Sequence, residues 1–417
     1  MSVLVVGAGP AGLMAAAAAA ARGARVTLLE RGEVMARKLR ITGKGRCNLT
    51  NNTTALEELI AGIPVNGRFL FGAFSRFGPL DTMEFFEKQG VPVKTERGRR
   101  VFPVSDNAHD VAEALIRRAR EKGVGFLRGR ATNLWIESNE LKGVVTEEGQ
   151  SIPARAVILA TGGLSYPKTG SDGDGYRLAE QAGHTIIPPK PSLVPLECHE
   201  GFCAELMGLS LRNTGLEVWD KQLCRVIYRD FGELLFTHFG VSGPMALSAS
   251  SHMRGIEPGR CELRLDLKPA LSHEQLDARI LRDFAENSGR NFINALNGLL
   301  PKRLVPVVVQ RSGIPAGLRV SQVSREQRRA LLELLKRFPL TVTGFRPIEE
   351  AIVTSGGVDP RQLRPNTMES RLQPGLYFAG EVLDVDGYTG GFNLQIAFST
   401  GYLAGLSASL GDSEFDD

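Results

Sequence analysis

The first thirty residues constrain the fold of this chain more than any other stretch. An apolar run at residues 3–6 predicts a buried parallel strand, and it leads directly into Gly7-Ala8-Gly9-Pro10-Ala11-Gly12. An alanine-rich segment at residues 13–21 predicts a helix, and a second apolar run at residues 24–29 predicts another strand, followed by Glu30. This order of strand, G-x-G-x-x-G loop, helix, strand and acid is typical of dinucleotide-binding Rossmann-like folds.

Each part of this pattern has a physical role. Gly7 permits the tight turn out of the strand, and Gly9 lets a pyrophosphate approach the backbone because it has no Cβ atom. Gly12 allows the helix to pack closely on the sheet. Phosphates are expected at the helix N-terminus, where free N–H groups and the helix dipole favour anions, and Glu30 is placed to accept hydrogen bonds from a ribose. The alternative is a glycine-rich turn in an α/β unit that binds no nucleotide.

Length and composition limit the class of protein. A chain of 417 residues exceeds what one hydrophobic core usually covers, so two or three domains are expected. The net charge of +4 is mildly basic and is compatible with an anionic ligand or RNA. Five cysteines without a C-x-x-C motif predict a reducing, cytoplasmic setting with neither a disulfide framework nor a metal site. No apolar run approaches the roughly 18 residues of a membrane span, so no membrane association is expected.

The second half of the chain carries further glycine signals at strand ends. Residues 156–160 predict a strand that runs into Thr161-Gly162-Gly163, where small residues let the backbone lie against a dinucleotide. Residues 375–379 predict a strand that ends at Gly380-Glu381. A loop with Gly390-Gly391 then opens a last helix, expected over residues 394–409, whose N-terminus suits the anionic edge of a reduced flavin.

The pattern between these ends predicts an insertion. Pro188-Pro189-Lys190-Pro191 marks a boundary, residues 191–270 alternate like β-structure, and residues 271–344 have helical patterns, including a capping box at Ser324. We therefore expect a sheet domain built from residues 1–190 and 345–417, interrupted by a barrel-like part and a helical part.

Smaller elements are also expected within the first 190 residues. Residues 91–104 predict a hairpin, Ser105 or Asp106 is expected to cap the following helix, and residues 132–152 predict a three-stranded meander.

Clusters of basic residues have two interpretations. The segment 37–46 is either a solvated loop or a loop wrapped on an anionic cofactor, and its position after Glu30 favours the second. Residues 97–100 are more typical of a solvated turn than of a ligand or RNA contact. If RNA is the partner, these clusters must form one continuous face with Lys302-Arg303 and residues 325–329.

Taken together, the motifs resemble the flavoproteins of the BaiN/YhiN type, also called the aminoacetone oxidase family of FAD-binding enzymes. Besides the glycine loop and Glu30, the resemblance is carried by Lys38 with the run Thr42-Gly-Lys-Gly-Arg-Cys-Asn-Leu-Thr-Asn51, by Ala160 to Gly163, by residues 235–244, by residues 354–358 and by Gly380 to Asn393. It implies an α/β fold: a Rossmann-like, glutathione-reductase-like FAD-binding domain with an inserted β-barrel and helical module.

The resemblance also implies a set of FAD contacts from both ends of the chain. They are Gly7, Gly9, Ala11, Gly12, Glu30, Lys38, Arg46, Cys47, Asn48, Ala131, Thr161, Gly162, Gly380, Glu381, Gly391, Phe392, Asn393 and Leu394.

The family implies three chemistries. The leading hypothesis is reduction of a C=C bond conjugated with a carbonyl, with hydride from the flavin. The alternatives are reduction of a ribosomal RNA uridine to dihydrouridine, and oxidation of aminoacetone by O2. A flavin-binding sensor is a fourth, non-enzymatic interpretation. The partner is therefore a small molecule or ribosomal RNA, and the sequence predicts no oligomeric state.

The sequence indicates the electron donor and the proton donor less clearly than it indicates the cofactor. No second G-x-G-x-x-G with its strand and helix exists, so NAD(P)H is expected to bind transiently in the substrate cleft. Cys47, His238 and Tyr388 are the candidate proton donors. Cys47 is alternatively a small packing residue, His238 a structural histidine and Tyr388 a residue that packs on the flavin ring.

Overall fold

The computed structural model describes residues 1–253 and 257–410 of the chain, so residues 411–417 of the expected C-terminal part lie outside the description. Its strands, in chain order, are β1 (Ser2–Val6), β2 (Arg25–Glu30), β3 (Thr50–Asn51), β4 (Val93–Glu96), β5 (Arg100–Pro103), β6 (Gly125–Arg128), β7 (Ala131–Glu137), β8 (Glu140–Thr146), β9 (Ser151–Pro153), β10 (Ala156–Leu159), β11 (Ile186–Ser192), β12 (Leu196–Cys198), β13 (Ser210–Asp220), β14 (Arg225–Thr237), β15 (Gly240–Ser242), β16 (Cys261–Asp266), β17 (Phe338–Phe345), β18 (Val353–Val358) and β19 (Leu376–Phe378). Its α-helices are α1 (Pro10–Ala21), α2 (Arg37–Ile41), α3 (Leu56–Ala61), α4 (Phe71–Arg76), α5 (Pro79–Lys88), α6 (Ala108–Glu121), α7 (Asp174–Gln181), α8 (Phe202–Glu205), α9 (Pro244–Ser250), α10 (His273–Glu286), α11 (Phe292–Ala295), α12 (Val305–Ser312), α13 (Arg325–Lys336) and α14 (Phe392–Ser409).

Two compact units divide the chain. The first unit comprises Met1–Ser192 and the chain from Pro347 onward, and the second comprises Leu193–Arg346. Apart from residues 191–192, which belong to the first unit, the parts expected at 191–270 and 271–344 fall in this second unit. They share one barrel, because β17 from the second part pairs with β12 and β16.

A parallel five-stranded sheet forms the centre of the first unit. Its strand order is β19-β10-β1-β2-β6, and all neighbouring pairs are parallel. The apolar side chains of β1 and β10 are almost completely buried, as expected for strands covered on both faces. The Rossmann-like fold is confirmed, and β19 brings the C-terminal part of the chain into the sheet that the N-terminus begins.

Helices α1 and α14 pack together in the same direction. A Cβ atom built on Gly401 would lie 2.3 Å from the Ala11 carbonyl oxygen, and one on Gly405 would lie 2.2 Å from that of Ala15. Both helices therefore advance by four residues between these contacts. Their small residues allow this approach, since any side chain at Gly401 or Gly405 would displace one helix from the other.

Small sheets complete the first unit. Strands β4 and β5 form the predicted hairpin, to which β3 adds, while β7, β8 and β9 form the predicted meander. The expected cap of α6 is wrong, because Asn107 holds that position and its side chain accepts a hydrogen bond from His109 N. Asp106 does not cap the helix because its carboxylate binds Arg46 and Lys94.

The inserted unit is a closed barrel with helices. The barrel order is β12-β15-β14-β13-β16-β17, and its interior is filled by buried aliphatic and aromatic side chains such as Val218, Phe236 and Leu263. The predicted capping box at Ser324 is confirmed at the start of α13. Across the two described ranges, no helix combines the length and apolarity that crossing a membrane requires.

Candidate functional site

The glycine loop between β1 and α1 is shaped by backbone contacts. Gly7 has φ +104°, and a Cβ atom there would lie 2.6 Å from the Ala160 carbonyl oxygen. A Cβ atom on Gly12 would lie 1.8 Å from the Gly7 carbonyl oxygen, whereas one on Gly9 would meet nothing within 4 Å. Packing therefore requires glycine at positions 7 and 12. Gly9, in contrast, faces open space that a bound group could occupy.

Free backbone donors surround that open space. Within the described residues, the N–H groups of Gly9, Ala11 and Gly12 have no hydrogen-bond partner, and the first intrahelical bond is from Leu13 N to Gly9 O at 2.9 Å. Such groups at a helix N-terminus bind anions. The Glu30 carboxylate closes the loop from the side, since it accepts hydrogen bonds of 2.7 Å from both Ala8 N and Gly32 N.

A cleft of about 920 Å³ opens next to Glu30, at the carboxyl ends of β2 and β6. Arg31, Arg130 and Gly170 lie in its lining, and Ala131 follows directly after Arg130. Asp174 binds both arginines, with distances of 3.2 Å to Arg31 and 2.8 Å to Arg130, so the segment before α7 is tied to the ends of β2 and β6. A cleft at this end of a parallel sheet is the usual place for the nucleoside part of a dinucleotide.

Thr161 and Gly162 follow β10, beside the glycine loop. Gly162 has φ +78°, where a side chain would be strained. The Thr161 hydroxyl is buried without a hydrogen-bond partner in the described structure, and it lies against Gly175 of α7. The side chain of Thr161 therefore packs on α7, which leaves its backbone as the part available to a ligand.

Lys38 and Glu381 form an ion pair across the site. The Lys38 ammonium lies 2.6 Å from a Glu381 carboxylate oxygen and also donates to Ser165 Oγ at 2.6 Å. The other Glu381 oxygen accepts hydrogen bonds from Ser165 Oγ at 2.8 Å and Thr354 N at 2.8 Å. Both side chains are about one-fifth exposed, so each keeps a surface through which it could contact a ligand.

The N-terminus of α14 is the second glycine-rich helix start. The helix begins at Phe392, two residues before the predicted start at Leu394. Gly391 has φ +102°, and a Cβ atom there would lie 2.3 Å from the Thr50 backbone. With its amide oriented to suit its neighbours, Asn48 accepts a hydrogen bond from Gly391 N at 3.1 Å and donates to the Thr50 and Val101 carbonyls.

The next three backbone donors of α14 are free. Within the described residues, the N–H groups of Phe392, Asn393 and Leu394 have no partner, and Gln395 N makes the first intrahelical bond to Gly391 O at 3.1 Å. The Asn393 side chain instead binds the loop before the helix, accepting from Gly387 N at 2.9 Å and donating to Gly387 O at 2.9 Å. The start of α14 therefore offers the kind of free donors that bind anions at helix N-termini.

These two helix starts lie on the same side of the first unit. Ala11 and Gly401 are in contact, and the helices are parallel. Phe392 is nine residues before Gly401 whereas Pro10 is one residue before Ala11. At about 1.5 Å per residue, α14 therefore begins about 12 Å before α1 along the shared direction. The structure thus brings together the predicted contacts from both chain ends.

Arg46 and Cys47 are placed differently from the other predicted contacts. The Arg46 guanidinium binds Glu96 at 2.5 Å and Asp106 at 2.6 Å, and it lies over the Phe102 ring. Cys47 is fully buried, and burial raises the pKa of its thiol to about 12. Both side chains are thus engaged by the protein, and the structure supports the alternative that Cys47 is a packing residue.

The remaining candidate proton donors lie in different units. Tyr388 is half-buried in the loop before α14, where its N–H donates to Gly62 O at 3.0 Å. His238 is exposed in the turn between β14 and β15 of the inserted unit, with its ring edge-on to Phe239.

Sequence reasoning missed three polar residues of the first unit. Ser165 and Thr354 hold the Lys38–Glu381 pair, and Gln395 binds Thr50 from the first turn of α14. Their partners are far apart in the chain, so no local pattern reveals them. Across the described residues, no cluster of three or more histidine, cysteine or acidic side chains could hold a metal ion.

Comparisons with known proteins agree with this architecture. Residues 1–407 match the family model described as HI0933-like protein Rossmann domain. The chain is 34% identical to the 3-dehydro-bile acid delta(4,6)-reductase of Clostridium scindens, over 97% of this chain and 98% of the relative. It is 32% identical to the ribosomal RNA dihydrouridine synthase of Escherichia coli, over 96% of each chain.

A solved structure shares the fold. The 3-ketosteroid delta1-dehydrogenase of Sterolibacterium denitrificans aligns over 98% of this chain and 99% of its own, with a TM-score of 0.52 and 13% identity. At that identity, the likeness concerns the fold alone.

Proposed function

Because this chain belongs to the HI0933-like family and is an FAD-dependent oxidoreductase, we propose that it reduces a carbon–carbon double bond conjugated with a carbonyl group. The single observation that carries the proposal is the pair of parallel helix N-termini in the first unit. Each has free N–H groups, and the two are separated by about 12 Å along the helix direction, from the rise per residue.

The residues present fit FAD. The open space at Gly9, with the donors of Ala11 and Gly12, would hold the pyrophosphate, and Glu30 would accept hydrogen bonds from the ribose beside the cleft. The free N–H groups of α14 would face the flavin ring. Bound FAD supplies the reversible two-electron chemistry that amino-acid side chains lack.

The chain's own residues provide the electrostatic environment. The donors at residues 392–394 stabilise negative charge without reorganisation, because Asn48 and Asn393 already hold their loop in place. Tyr388, in that same loop, is the proposed proton donor for the substrate, and His238 is the second candidate. Cys47 is not proposed for this role, because its thiol has no exposed surface.

We also propose NAD(P)H as the electron donor. The sequence has no second G-x-G-x-x-G motif with its strand and helix, so we propose that this donor binds transiently in the substrate cleft. Anaerobic stopped flow with NADH and NADPH is expected to bleach the flavin absorbance. If neither bleaches it and aminoacetone releases hydrogen peroxide instead, the amine-oxidase alternative is correct.

The substrate is tested directly with a conjugated ketone. The name of the C. scindens relative points to a 3-oxo bile acid with double bonds at positions 4 and 6. The pre-reduced enzyme should consume the enone absorbance of such a compound, with one flavin reoxidised for each double bond. An unsaturated ketone that stays intact while the flavin remains reduced would contradict the proposed activity.

Ribosomal RNA is the second candidate substrate, and charge in the inserted unit favours it. Exposed cations that form no salt bridge among the described residues recur along its helical part: Arg282, Arg290, Lys302, Arg303, Arg311, Arg319, Arg325, Arg329 and Arg337. In the first unit, by contrast, Arg40, Arg46 and Arg99 are paired with carboxylates, which weakens the case for those clusters.

The RNA alternative has a separate test. Dihydrouridine mapping of ribosomal RNA from a deletion strain would reveal a missing modification if RNA is the substrate, together with salt-dependent binding of the purified protein. An unchanged map supports the small-molecule reaction. We place the protein in the cytoplasm, supported by the free state of all five cysteines.

A further inference from the structure

Gln395 has a buried amide whose hydrogen-bonding capacity is fully used. Its side-chain oxygen accepts from Thr50 Oγ1 at 2.6 Å and Thr82 Oγ1 at 2.9 Å. Its nitrogen donates to Phe77 O at 3.1 Å and Ser399 Oγ at 2.8 Å. Gln395 is completely buried, and these four bonds are the hydrogen bonds of its side chain within the described residues.

We infer that Gln395 is a positioning residue for the FAD-dependent reaction, and that it sets the orientation of the first turn of α14 toward the flavin ring. The inference rests on the proposed function, since it requires FAD to lie at this helix N-terminus. It assigns to Gln395 no contact with FAD or substrate.

The network around Gln395 admits one arrangement. Thr50, Thr82 and Ser399 are also completely buried, and Ser399 Oγ donates to Phe77 O at 2.6 Å. Rotating the amide by half a turn would set its oxygen against the Phe77 carbonyl oxygen, so the Gln395 oxygen would face an acceptor and Phe77 O would lose its amide donor. Each buried polar group left unpaired costs about 1–3 kcal/mol, so the observed orientation is strongly favoured.

This arrangement reaches the site through two short links. Gln395 N makes the first intrahelical bond of α14, to Gly391 O, and the three preceding N–H groups are the free donors. Thr50 binds the Gln395 side chain and also packs its backbone against Gly391, which leaves no room for a Cβ atom. Displacing Gln395 therefore displaces the turn that carries the free donors.

The chemical consequence follows from preorganisation. Donors that are already aligned stabilise negative charge on a reduced flavin, whereas donors on a loosened turn must reorganise first. Loss of the Gln395 network should thus make flavin reduction less favourable, and it should do so even with no substrate present.

The experiment compares two buried glutamines in full-length, FAD-loaded protein. Gln395→Met keeps the length of the side chain and removes its four hydrogen bonds. Gln373→Met is the matched control. Gln373 is 4% exposed and belongs to the same unit, but it lies in the segment before β19, and its side chain donates to Asn139 O between β7 and β8. The readouts are the flavin midpoint potential by dye equilibration, FAD affinity and the rate of flavin reoxidation by an enone.

For Gln395→Met we expect the equilibrium constant for flavin reduction to fall about tenfold, which is about 30 mV for two electrons. Reoxidation by substrate should slow by roughly tenfold or more, as for a small misplacement of a catalytic group. Gln373→Met should keep the wild-type potential. A Gln395→Met protein that binds FAD with an unchanged potential would overturn the inference while leaving the proposed function intact.

If Gln395→Met does not fold or does not bind FAD, a milder variant tests the same inference. Thr82→Val removes the hydrogen bonds of the Thr82 hydroxyl to the Gln395 oxygen and to Gly78 O, and it nearly conserves side-chain volume. A smaller shift of the potential in the same direction supports the inference, and an unchanged potential overturns it. Wild-type protein that cannot bind FAD would overturn the proposed function itself, and the inference with it.

Discussion

The helix starts of α1 and α14 offer the same kind of site by different means. The α1 loop is fixed by backbone packing alone, since Gly7 and Gly12 leave no room for a Cβ atom and no side chain caps the helix. The α14 loop also depends on glycine, at Gly391, but three amide side chains hold it: Asn48, Asn393 and Gln395. Each start has three N–H groups with no partner in the part of the chain that the structure describes.

The difference separates two tasks. A pyrophosphate carries permanent charge, so the α1 loop needs only close approach and free donors. A flavin ring gains negative charge during reduction, and its environment must be aligned before that charge forms. The polar network at α14 provides such alignment. Substitutions in the two loops test this division.

The largest effect is expected for Gly12→Val. Its Cβ atom would lie 1.8 Å from the Gly7 carbonyl oxygen, so α1 must move away from the sheet. We expect a loss of stability of about 3 kcal/mol or more and no retained flavin. Urea unfolding and the flavin absorbance of the purified protein measure both. Gly317→Ala, at a position in the inserted unit with no atom near its Cβ, is the control and should behave as wild type.

A large effect on affinity without a loss of fold is expected for Gly9→Ala. Gly9 has an ordinary φ of −78° and free space around its Cβ position, so the protein should fold normally. The added methyl group would occupy the space for the pyrophosphate, and FAD affinity should fall roughly tenfold to hundredfold. FAD titration by fluorescence quenching measures the change. Wild-type affinity would mean that the pyrophosphate does not approach Gly9.

The contrast between the two loops explains what the sequence could predict. The role of Gly7, Gly9 and Gly12 is local, because strand, turn and helix are consecutive, and the fold followed from it. The sequence pattern predicts the start of α14 at Leu394, two residues after the observed start at Phe392, because Asn393 fixes the loop from Gly387 and no recognisable cap marks the boundary.

The rest of the site depends on residues distant in sequence. Gln395 binds Thr50 across 345 positions, and Ser165 meets Glu381 across 216. Arg46 looked like a cofactor contact because it lies in a basic run, yet its charge meets Glu96 and Asp106 once the hairpin folds. Pairings of this kind are set by tertiary structure, which periodicity and propensity do not report.

A moderate effect, confined to α14, is expected for Asn48→Ala. The change leaves Gly391 N and the Val101 and Thr50 carbonyls without this partner, which should cost about 1–3 kcal/mol of stability. FAD affinity should change by less than about fivefold, because the pyrophosphate site at α1 is untouched. Calorimetry of the FAD-bound and FAD-free protein measures both quantities. An affinity loss as large as that of Gly9→Ala would remove the distinction between the loops.

The smallest effect is expected for Cys47→Ala. Turnover should stay within about twofold of wild type, and stability should fall by about 1 kcal/mol at neutral pH. Because the thiol pKa is raised by burial to about 12, the protonated thiol contributes stability below about pH 8.5, the ordinary value, and that contribution is lost as pH rises toward 12.

Unfolding at pH 7 and pH 10 tests this sign, since the difference between wild type and Cys47→Ala should shrink at the higher pH. A large loss of turnover in Cys47→Ala at neutral pH would instead indicate that Cys47 is a proton donor. Exposed Cys224 provides a labelling control, because it should react with iodoacetamide while Cys47 does not.

Hydrogen–deuterium exchange with and without FAD reports whether both helix starts contact the same cofactor. If one FAD molecule spans both helix starts, its addition should slow exchange of the backbone amides at residues 9–12 and at residues 392–394 together, with the same FAD concentration dependence. Slowing confined to the first loop, with the α14 amides exchanging as freely as before, would contradict the account.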